Sequence, residues 1–240
     1  MERLSLDRWA SPWLRYQHLA RYRWASSFAT GRKVLDAACG TGYGTKILAE
    51  AGATGVIGVD RSPEAVEEAR KHAHHNSRFV VGNVARLPFP DNEFDIYLSF
   101  ETFEHVEEGE TLVEQAKRVL KPGGTFICST PNRPVISPGH GLSDRPLNPY
   151  HTREYDEKEF DSILRRHFSK ILFYGQTFFS TQYKLRLNRL GNKSPALAVR
   201  LHQIRKILGI FQEHEEKHRP IELPFRGDPE VLIALCTNSK

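Results

Sequence analysis

The fold is decided by the stretch Val34-Leu-Asp-Ala-Ala-Cys-Gly-Thr-Gly-Tyr-Gly44, an apolar run that ends in three alternating glycines. The run predicts a buried strand, and the residues from Tyr43 to Glu50 predict a helix that begins among the glycines. Glycines at such a junction let the backbone approach a ligand closely, and the N–H groups of the first helical turn can donate to it. The stretch therefore indicates a small-molecule site between a strand and a helix.

Two acidic residues accompany this junction. Asp36 lies inside the first predicted strand, and Asp60 ends the second, Val56-Ile-Gly-Val-Asp60. A carboxylate at that strand end can accept both hydroxyl groups of a ribose. Asp36 could reach a cationic amino group through the loop Gly40–Gly44, called the glycine loop below. The alternative is a tight turn that the two acids only cap. A dinucleotide fingerprint requires glycine where Thr45 stands, which disfavours a dehydrogenase, and the Gly-Lys-Ser/Thr of a phosphate-binding loop is absent.

Strands and helices alternate along the first 130 residues, a pattern typical of a doubly wound parallel sheet. The predicted strands are Lys33–Ala38, Val56–Asp60, Arg78–Gly82, Phe94–Phe100 and Thr125–Ser129. The predicted helices are one or two within residues 12–29, then Tyr43–Glu50, Ser62–His72 and Glu110–Leu120, the last stopped by Lys-Pro-Gly-Gly at 121–124. A proline-rich loop at 131–149 follows, then a helix at Tyr155–Phe168 and strands at Ile171–Tyr174 and Val231–Cys236.

Composition limits the class of protein. The apolar share of 39% and the charged share of 26% are those of a chain that can bury a core, so we expect one domain over residues 1–240. No apolar run approaches the roughly 18 residues of a transmembrane helix, and the first residues lack the apolar core of a signal peptide. Three widely spaced cysteines with apolar neighbours favour reduced thiols and a cytoplasmic location.

Positive charge is concentrated late in the chain. Ten of the 34 basic residues lie between Ser162 and Gln212, a stretch without any acidic residue, so the rest of the chain is net acidic. Residues 177–225 are interpreted as a basic helical insert, in which the apolar residues of an amphipathic helix are Leu197, Leu201, Ile204, Leu208 and Phe211. The insert could cover an anionic acceptor as a lid, contact a membrane surface, or be a solvated helix over the sheet. Because the charge is local, binding along a nucleic acid is disfavoured.

Four sequence motifs in order resemble those of the class I S-adenosylmethionine (SAM)-dependent methyltransferases, in particular the type 11 and ubiquinone-pathway O-methyltransferase groups. They are Val34–Gly44, Val56–Asp60, Gly82-Asn-Val-Ala-Arg-Leu-Pro-Phe-Pro-Asp91 with Glu93-Phe-Asp95, and Leu120-Lys-Pro-Gly-Gly-Thr-Phe126. The resemblance implies an α/β fold with a Rossmann-like, doubly wound sheet of seven strands. This sheet would be mostly parallel with an antiparallel last strand, and helices would cover both faces.

The resemblance also implies roles for residues in a SAM site. Asp36 and the loop that carries Gly40 and Gly42 would hold the methionine part, and Asp60 would take the ribose hydroxyls. Arg61, Asn83 and Val84 would lie beside the adenine. Ala38 and Phe100 would also bind the cofactor. Residues 1–30 would form cover helices, with Tyr16, His18, Arg21 and Tyr22 either closing over SAM or serving as a structural cover.

The segment Phe100-Glu-Thr-Phe-Glu-His105 follows the fourth strand, where acceptors bind in such sheets. If a helix begins there, Glu101, Glu104 and His105 share one face. Three interpretations remain open: a structural polar cluster, general-base catalysis by His105 tuned by Glu104, and a divalent metal site. The resemblance implies that Glu101, Glu104, His105 and a later histidine, His151, would bind Mg²⁺ or Mn²⁺.

The most favoured function is SAM-dependent O-methylation of a small-molecule hydroxyl or of a lipid- or sugar-linked one. Transfer to nitrogen or to an RNA end is the alternative. A non-catalytic SAM-binding module is a further alternative, although the glycine loop and Asp60 are both intact.

Overall fold

The computed structural model contains the predicted alternation of strands and helices. It describes residues 12–107, 109–139, 144–179, 218–222 and 228–239, and eight residues between 186 and 201. The helices are α1 (Pro12–Ser26), α2 (Tyr43–Glu50), α3 (Pro63–Lys71), α4 (Gly109–Val119), α5 (Arg133–Ile136) and α6 (Glu157–Arg165). The strands are β1 (Lys33–Ala37), β2 (Gly55–Asp60), β3 (Ser77–Val81), β4 (Phe94–Ser99), β5 (Leu120–Pro131), β6 (Lys170–Phe179), β7 (Ile221–Glu222) and β8 (Asp228–Thr237).

All the strands join one sheet in the order β3-β2-β1-β4-β5-β8-β6-β7. Strands β1 to β5 pair in parallel, whereas β8 lies antiparallel between β5 and β6. The predicted α/β sheet with its reversed last strand is therefore confirmed. The two-residue strand β7 adds an eighth strand at the edge, antiparallel to β6.

Helices pack on both faces of the sheet, as expected. One face buries Leu112 and Ala116 of α4 and Phe160 of α6 against the strands. The other face buries Tyr22 of α1 and Leu48 of α2. Each fully buried Leu or Phe side chain contributes about 1.5–3 kcal/mol, so the two layers fix the strand ends that carry the site.

Several predicted boundaries differ from the structure. The Lys-Pro-Gly-Gly segment ends α4 at Val119 but belongs to β5, because the Gly123 amide donates to the Asn238 carbonyl at 2.7 Å. After β4 the chain forms a 3-10 turn at Phe103–His105, so the condition for a shared helical face of Glu101, Glu104 and His105 is not met. The leading segment is one helix among the described residues, and the proline-rich loop contains the single-turn helix α5.

The basic insert is described only in part. Strand β6 continues to Phe179, beyond the predicted start of the insert at residue 177. Leu197 and Leu201 have helical backbone and exposed side chains, whereas Ile204, Leu208 and Phe211 lie outside the described residues. Within the described parts of the chain, we find no helix with the length and apolarity needed to cross a bilayer.

Candidate functional site

A cleft of about 1790 Å³ opens at the carboxyl ends of the central strands. Its walls come from α1, the glycine loop, the ends of β2, β3 and β4, and the segment 144–154. This is where doubly wound sheets bind their ligands. The cleft brings together the following predicted site residues: Ala38, Gly40, Asp60, Arg61, Asn83, Val84, Phe100, Glu101, Glu104, His105 and His151.

The glycine loop is held in shape by Asp60. One carboxylate oxygen accepts from the Gly40 amide and the other from the Ser62 amide, each at 2.9 Å. Gly40 and Ala38 both have positive φ, 55° and 59°, which turns the chain sharply after β1. Because each carboxylate oxygen has a further lone pair, Asp60 can still accept hydroxyl groups from a ligand in the cleft.

Gly42 serves packing. Its φ is 81°, and an added Cβ would lie 2.7 Å from the Phe79 ring and 2.8 Å from the Ala69 methyl group. Gly42 is not among the described residues that line the cleft. Phe79 and α3 thus occupy the space beside Gly42, and its predicted contact with the methionine part of SAM stays a prediction.

The adenine side of the predicted site is formed by Arg61, Asn83 and Val84 around Asp60. The Asn83 side-chain oxygen accepts from the Ala85 amide at 2.9 Å, which orients the side chain and leaves a second lone pair for an amino group. Phe100 directly follows β4 and also lines the cleft. These residues can together surround a flat heterocycle and its ribose.

Asp36 does not belong to the described cleft lining. It is fully buried, and its two oxygens accept from the Tyr22 hydroxyl at 2.9 Å and the Thr45 hydroxyl at 2.6 Å. Burial raises the pKa of Asp36 to about 6, although both hydrogen bonds oppose the rise. Asp36 thus contacts Tyr22, which itself lines the cleft, and its contact with a cationic amino group stays a prediction.

The Glu101 carboxylate is hydrogen-bonded to Arg21 and Ser129. One of its carboxylate oxygens accepts from the Arg21 guanidinium at 2.7 Å and from the Ser129 hydroxyl at 2.8 Å. Its φ is 49°, and its amide donates to Ser129. The predicted shared helical face of Glu101, Glu104 and His105 is absent from this described segment, because the backbone turns at Glu101.

Glu104, His105 and His151 converge across the cleft. One possible ligand atom from each lies within 4.8 Å of the others. Glu104 is buried and accepts from the Thr130 hydroxyl; burial, followed by the Glu101 charge, raises the pKa of Glu104 well above its usual value. His105 Nδ1 contacts the Tyr150 carbonyl oxygen at 2.9 Å, which requires a proton on Nδ1 and leaves the lone pair on Nε2.

The segment 148–154 carries His151 to this position. The Thr152 amide and hydroxyl both donate to the Glu104 carbonyl, at 2.7 and 2.9 Å. His151 Nδ1 contacts the Glu154 carboxylate at 2.7 Å, and its Nε2 lies 2.9 Å from the Asn148 amide nitrogen. Sequence reasoning missed Glu154. Its contact with His151 is notable, because metal-binding histidines typically donate their other ring nitrogen to a carboxylate.

The donor set fits a hard or borderline divalent cation, since it offers one carboxylate and two imidazoles beside a cleft. The Asn148 amide would have to turn away from His151 for both histidines to coordinate. Glu101 is outside this group of three among the described residues. Three of the four predicted ligands are thus close together in this structure, and metal binding by them stays a prediction.

The chain is similar to known methyltransferases. Residues 35–128 match the family described as a methyltransferase domain. A probable SAM-dependent methyltransferase of Mycolicibacterium smegmatis is 40% identical over 152 residues, covering 63% of this chain and 57% of that protein. The chain thus spans little more than half the length of this relative. A demethylmenaquinone methyltransferase of Staphylococcus saprophyticus is 33% identical over 172 residues, covering 69% of this chain and 70% of that one.

The fold has a close parallel among solved structures. A Thermotoga maritima SAM-dependent methyltransferase, described as a possible histamine N-methyltransferase, superposes with a TM-score of 0.62. The alignment covers 94% of this chain and 93% of that chain at 18% identity, so it shows the fold alone. The match to the relative from S. saprophyticus and the motifs around the cleft show that the chain belongs to the class I SAM-dependent methyltransferase family.

Proposed function

We propose that the protein transfers the methyl group of SAM to a hydroxyl oxygen of a small acceptor, free or linked to a lipid or sugar. The observation that carries the proposal is that Glu104, His105 and His151 share one cleft with Asp60 and the glycine loop. Methyl transfer is a displacement at carbon, so a catalyst must position the acceptor and take its proton. The cleft offers groups for both tasks.

The cofactor half holds SAM by its ribose and adenine. Asp60 accepts the ribose hydroxyls, Asn83 and Val84 meet the adenine, and the N–H groups of the glycine loop face the methionine part. SAM supplies an activated methyl group on sulfur. Support comes from the family and from the unused lone pairs on Asp60 and Asn83.

The acceptor half deprotonates and orients the hydroxyl. His105 has its Nδ1 proton directed to the Tyr150 carbonyl, so its Nε2 is a base, 3.9 Å from the Glu104 carboxylate. A proton taken by His105 is stabilised by Glu104 once that carboxyl is ionised. We propose that Mg²⁺ or Mn²⁺, where it is bound by Glu104, His105 and His151, replaces this base: the ion would occupy the Nε2 lone pair of His105 and would make the hydroxyl acidic enough to lose its proton to solvent.

Treatment with a chelator distinguishes general-base catalysis by His105 from metal-assisted catalysis. Conversion of SAM to its demethylated product is measured with phenolic, sugar, amine and RNA-end acceptors, after EDTA and after Mg²⁺ or Mn²⁺ is restored. The proposal expects turnover with a hydroxyl acceptor, loss with EDTA and recovery with the ion. His151→Ala should remove turnover and Mn²⁺ binding in calorimetry, whereas His72→Ala, on the exposed end of α3, should not.

The outcomes differ for each alternative. Activity that ignores EDTA and His151→Ala but is lost in His105→Ala would leave only general-base catalysis. Turnover with amines or RNA ends alone would replace the hydroxyl acceptor. SAM binding without turnover on any acceptor would indicate a non-catalytic module.

The basic insert favours an anionic acceptor or an anionic membrane surface beside the cleft. The described arginines Arg186, Arg189 and Arg200 are exposed. Replacing the three with glutamine should raise the Michaelis constant for an anionic acceptor and leave that for SAM unchanged. Arg78→Gln, an exposed arginine of β3, is the matched control. We place the reaction in the cytoplasm, in keeping with three free, buried cysteines.

A further inference from the structure

Tyr22 of α1 lies directly over the glycine loop. We propose that Tyr22 is a positioning residue for SAM, and that residue 44 is glycine to admit the Tyr22 ring and not to admit the ligand. The cofactor half of the cleft is then complete only when α1 is docked. This inference rests on the proposed function to the extent that SAM is the ligand.

The Tyr22 ring leaves no room for a side chain at Gly44. A Cβ added at Gly44 would lie 2.1 Å from two carbons of the Tyr22 ring, closer than atoms can approach without movement. Gly44 lies in α2 and, unlike Gly40 and Gly42, its φ is not positive, so its backbone alone would accept alanine. Alanine is better than glycine in a helix by about 1 kcal/mol. The requirement for glycine therefore comes from the ring above it.

Tyr22 also joins α1 to β1 through the buried carboxylate of Asp36. Its hydroxyl donates to Asp36 at 2.9 Å, and the Thr45 hydroxyl, from the residue after Gly44, donates to the other Asp36 oxygen. One buried carboxylate thus ties β1, α2 and α1 together. Burial and the neighbouring Asp36 charge raise the pKa of Tyr22, so its hydroxyl keeps the proton that it donates.

The Tyr22 ring forms part of the wall against the ligand space. It packs edge-to-face on Tyr43, with 5.4 Å between centroids, and on Phe100, with 5.1 Å. All three aromatic residues line the cleft, whereas Gly44 is not among its described lining residues. Moving Tyr22 would therefore alter two contacts of the wall, and a side chain added at Gly44 would act on SAM through Tyr22.

A double-mutant cycle tests this coupling. SAM affinity is measured by calorimetry for the wild type, Gly44→Ala, Tyr22→Ala and the double variant, at a temperature well below each melting temperature. Gly44→Ala should weaken SAM at least tenfold in the wild type and less than about twofold in the Tyr22→Ala background, where the ring is gone. Gly55→Ala is the control, because its added Cβ meets only the Asn76 carbonyl oxygen, at 3.9 Å.

A conservative variant separates positioning from folding. Tyr22→Phe keeps the ring but loses the hydroxyl, so it should bind SAM more weakly than the wild type and more tightly than Tyr22→Ala, with an unchanged Michaelis constant for the acceptor. If Tyr22→Ala does not fold, hydrogen exchange on the wild type gives the answer. SAM should then slow exchange in residues 12–26 as well as in the glycine loop.

Two results would overturn the inference: an equal loss of SAM affinity from Gly44→Ala in both backgrounds, or protection of the loop by SAM without protection of α1. Neither result tests whether the protein transfers a methyl group. Conversely, a wild type that binds SAM with the expected coupling but methylates no acceptor would overturn the proposed function and leave the role of Tyr22 intact.

Discussion

The Arg21 guanidinium donates to the Glu101 carboxylate across 2.7 Å, and the Arg21 side chain is fully buried. This ion pair joins α1 to the turn after β4. Ser129 completes it by donating to the same Glu101 oxygen and accepting from both the Glu101 amide and Arg21. The turn that leads to Glu104 and His105 is therefore held from the opposite side of the cleft by the helix that also carries Tyr22.

Breaking this ion pair should cost stability. Arg21→Met should lower the free energy of unfolding by about 3 kcal/mol, because it leaves the Glu101 carboxylate largely buried without its cation. The double variant Arg21→Met, Glu101→Gln should recover part of the loss. Urea denaturation measures both. Lys46→Met, at an exposed pair with Glu50, should change stability by less than about 1 kcal/mol; an equal effect at the two sites would refute the assignment.

Removing the Asp60 carboxylate should weaken SAM binding. Asp60→Ala should lower affinity at least tenfold, or about 1.4 kcal/mol, because it removes the ribose acceptor and the anchor of the Gly40 amide. Asp60→Asn, which keeps one acceptor oxygen, should fall between. Calorimetric titration with SAM is the measurement, and Asp91→Ala, at an exposed acid, is the control. Unchanged affinity in Asp60→Ala would remove Asp60 from the ribose site.

Glu154 should act on the metal site through His151. Glu154→Gln weakens the contact that orients the imidazole, so Mn²⁺ affinity should drop by about 10–100-fold, the usual effect of losing such a partner. SAM affinity should stay the same, since Glu154 contacts none of the proposed cofactor residues in the described hydrogen bonds. Glu157→Gln, at the exposed start of α6, is the matched control. Equal Mn²⁺ binding in both variants would contradict the role.

Asp36 should give the fold a distinct pH dependence. Its pKa is raised from 3.8 to about 6, so the folded state holds the proton more tightly than the unfolded state. The resulting stability is fully present below about pH 4 and is lost as the pH rises through about 6, by up to about 3 kcal/mol. Asp36→Asn should lack this component. Urea unfolding at pH 4 to 7 measures the difference; parallel curves would show that the Asp36 pKa is not raised.

The sequence predicted best what depends on local pattern. The strand and helix periods located β1 to β4 within one residue, whereas β5 begins five residues before its predicted start. Asp60, at the end of β2, lines the cleft. The sequence did not reveal that Asp36 contacts Tyr22 and that Glu101 contacts Arg21, because these partners come from α1, 14 and 80 residues away. Alternation of apolar residues reports which side of an element is buried, but not which distant hydroxyl or guanidinium meets a buried acid. The convergence of His151 on Glu104 similarly depends on hydrogen bonds of Thr152.

The reversed strand β8 has a consequence for the connection that precedes it. Because β8 runs against β6, the connection between them leaves the sheet and re-enters it at the same rim, the rim that holds the cleft. The Thr177 hydroxyl meets His218 Nδ1 at 3.0 Å, so the two ends of this excursion are fastened side by side. Residues can be inserted or deleted between them without shifting any strand register. The length of this connection can therefore change without disturbing the strands that carry the glycine loop and Asp60.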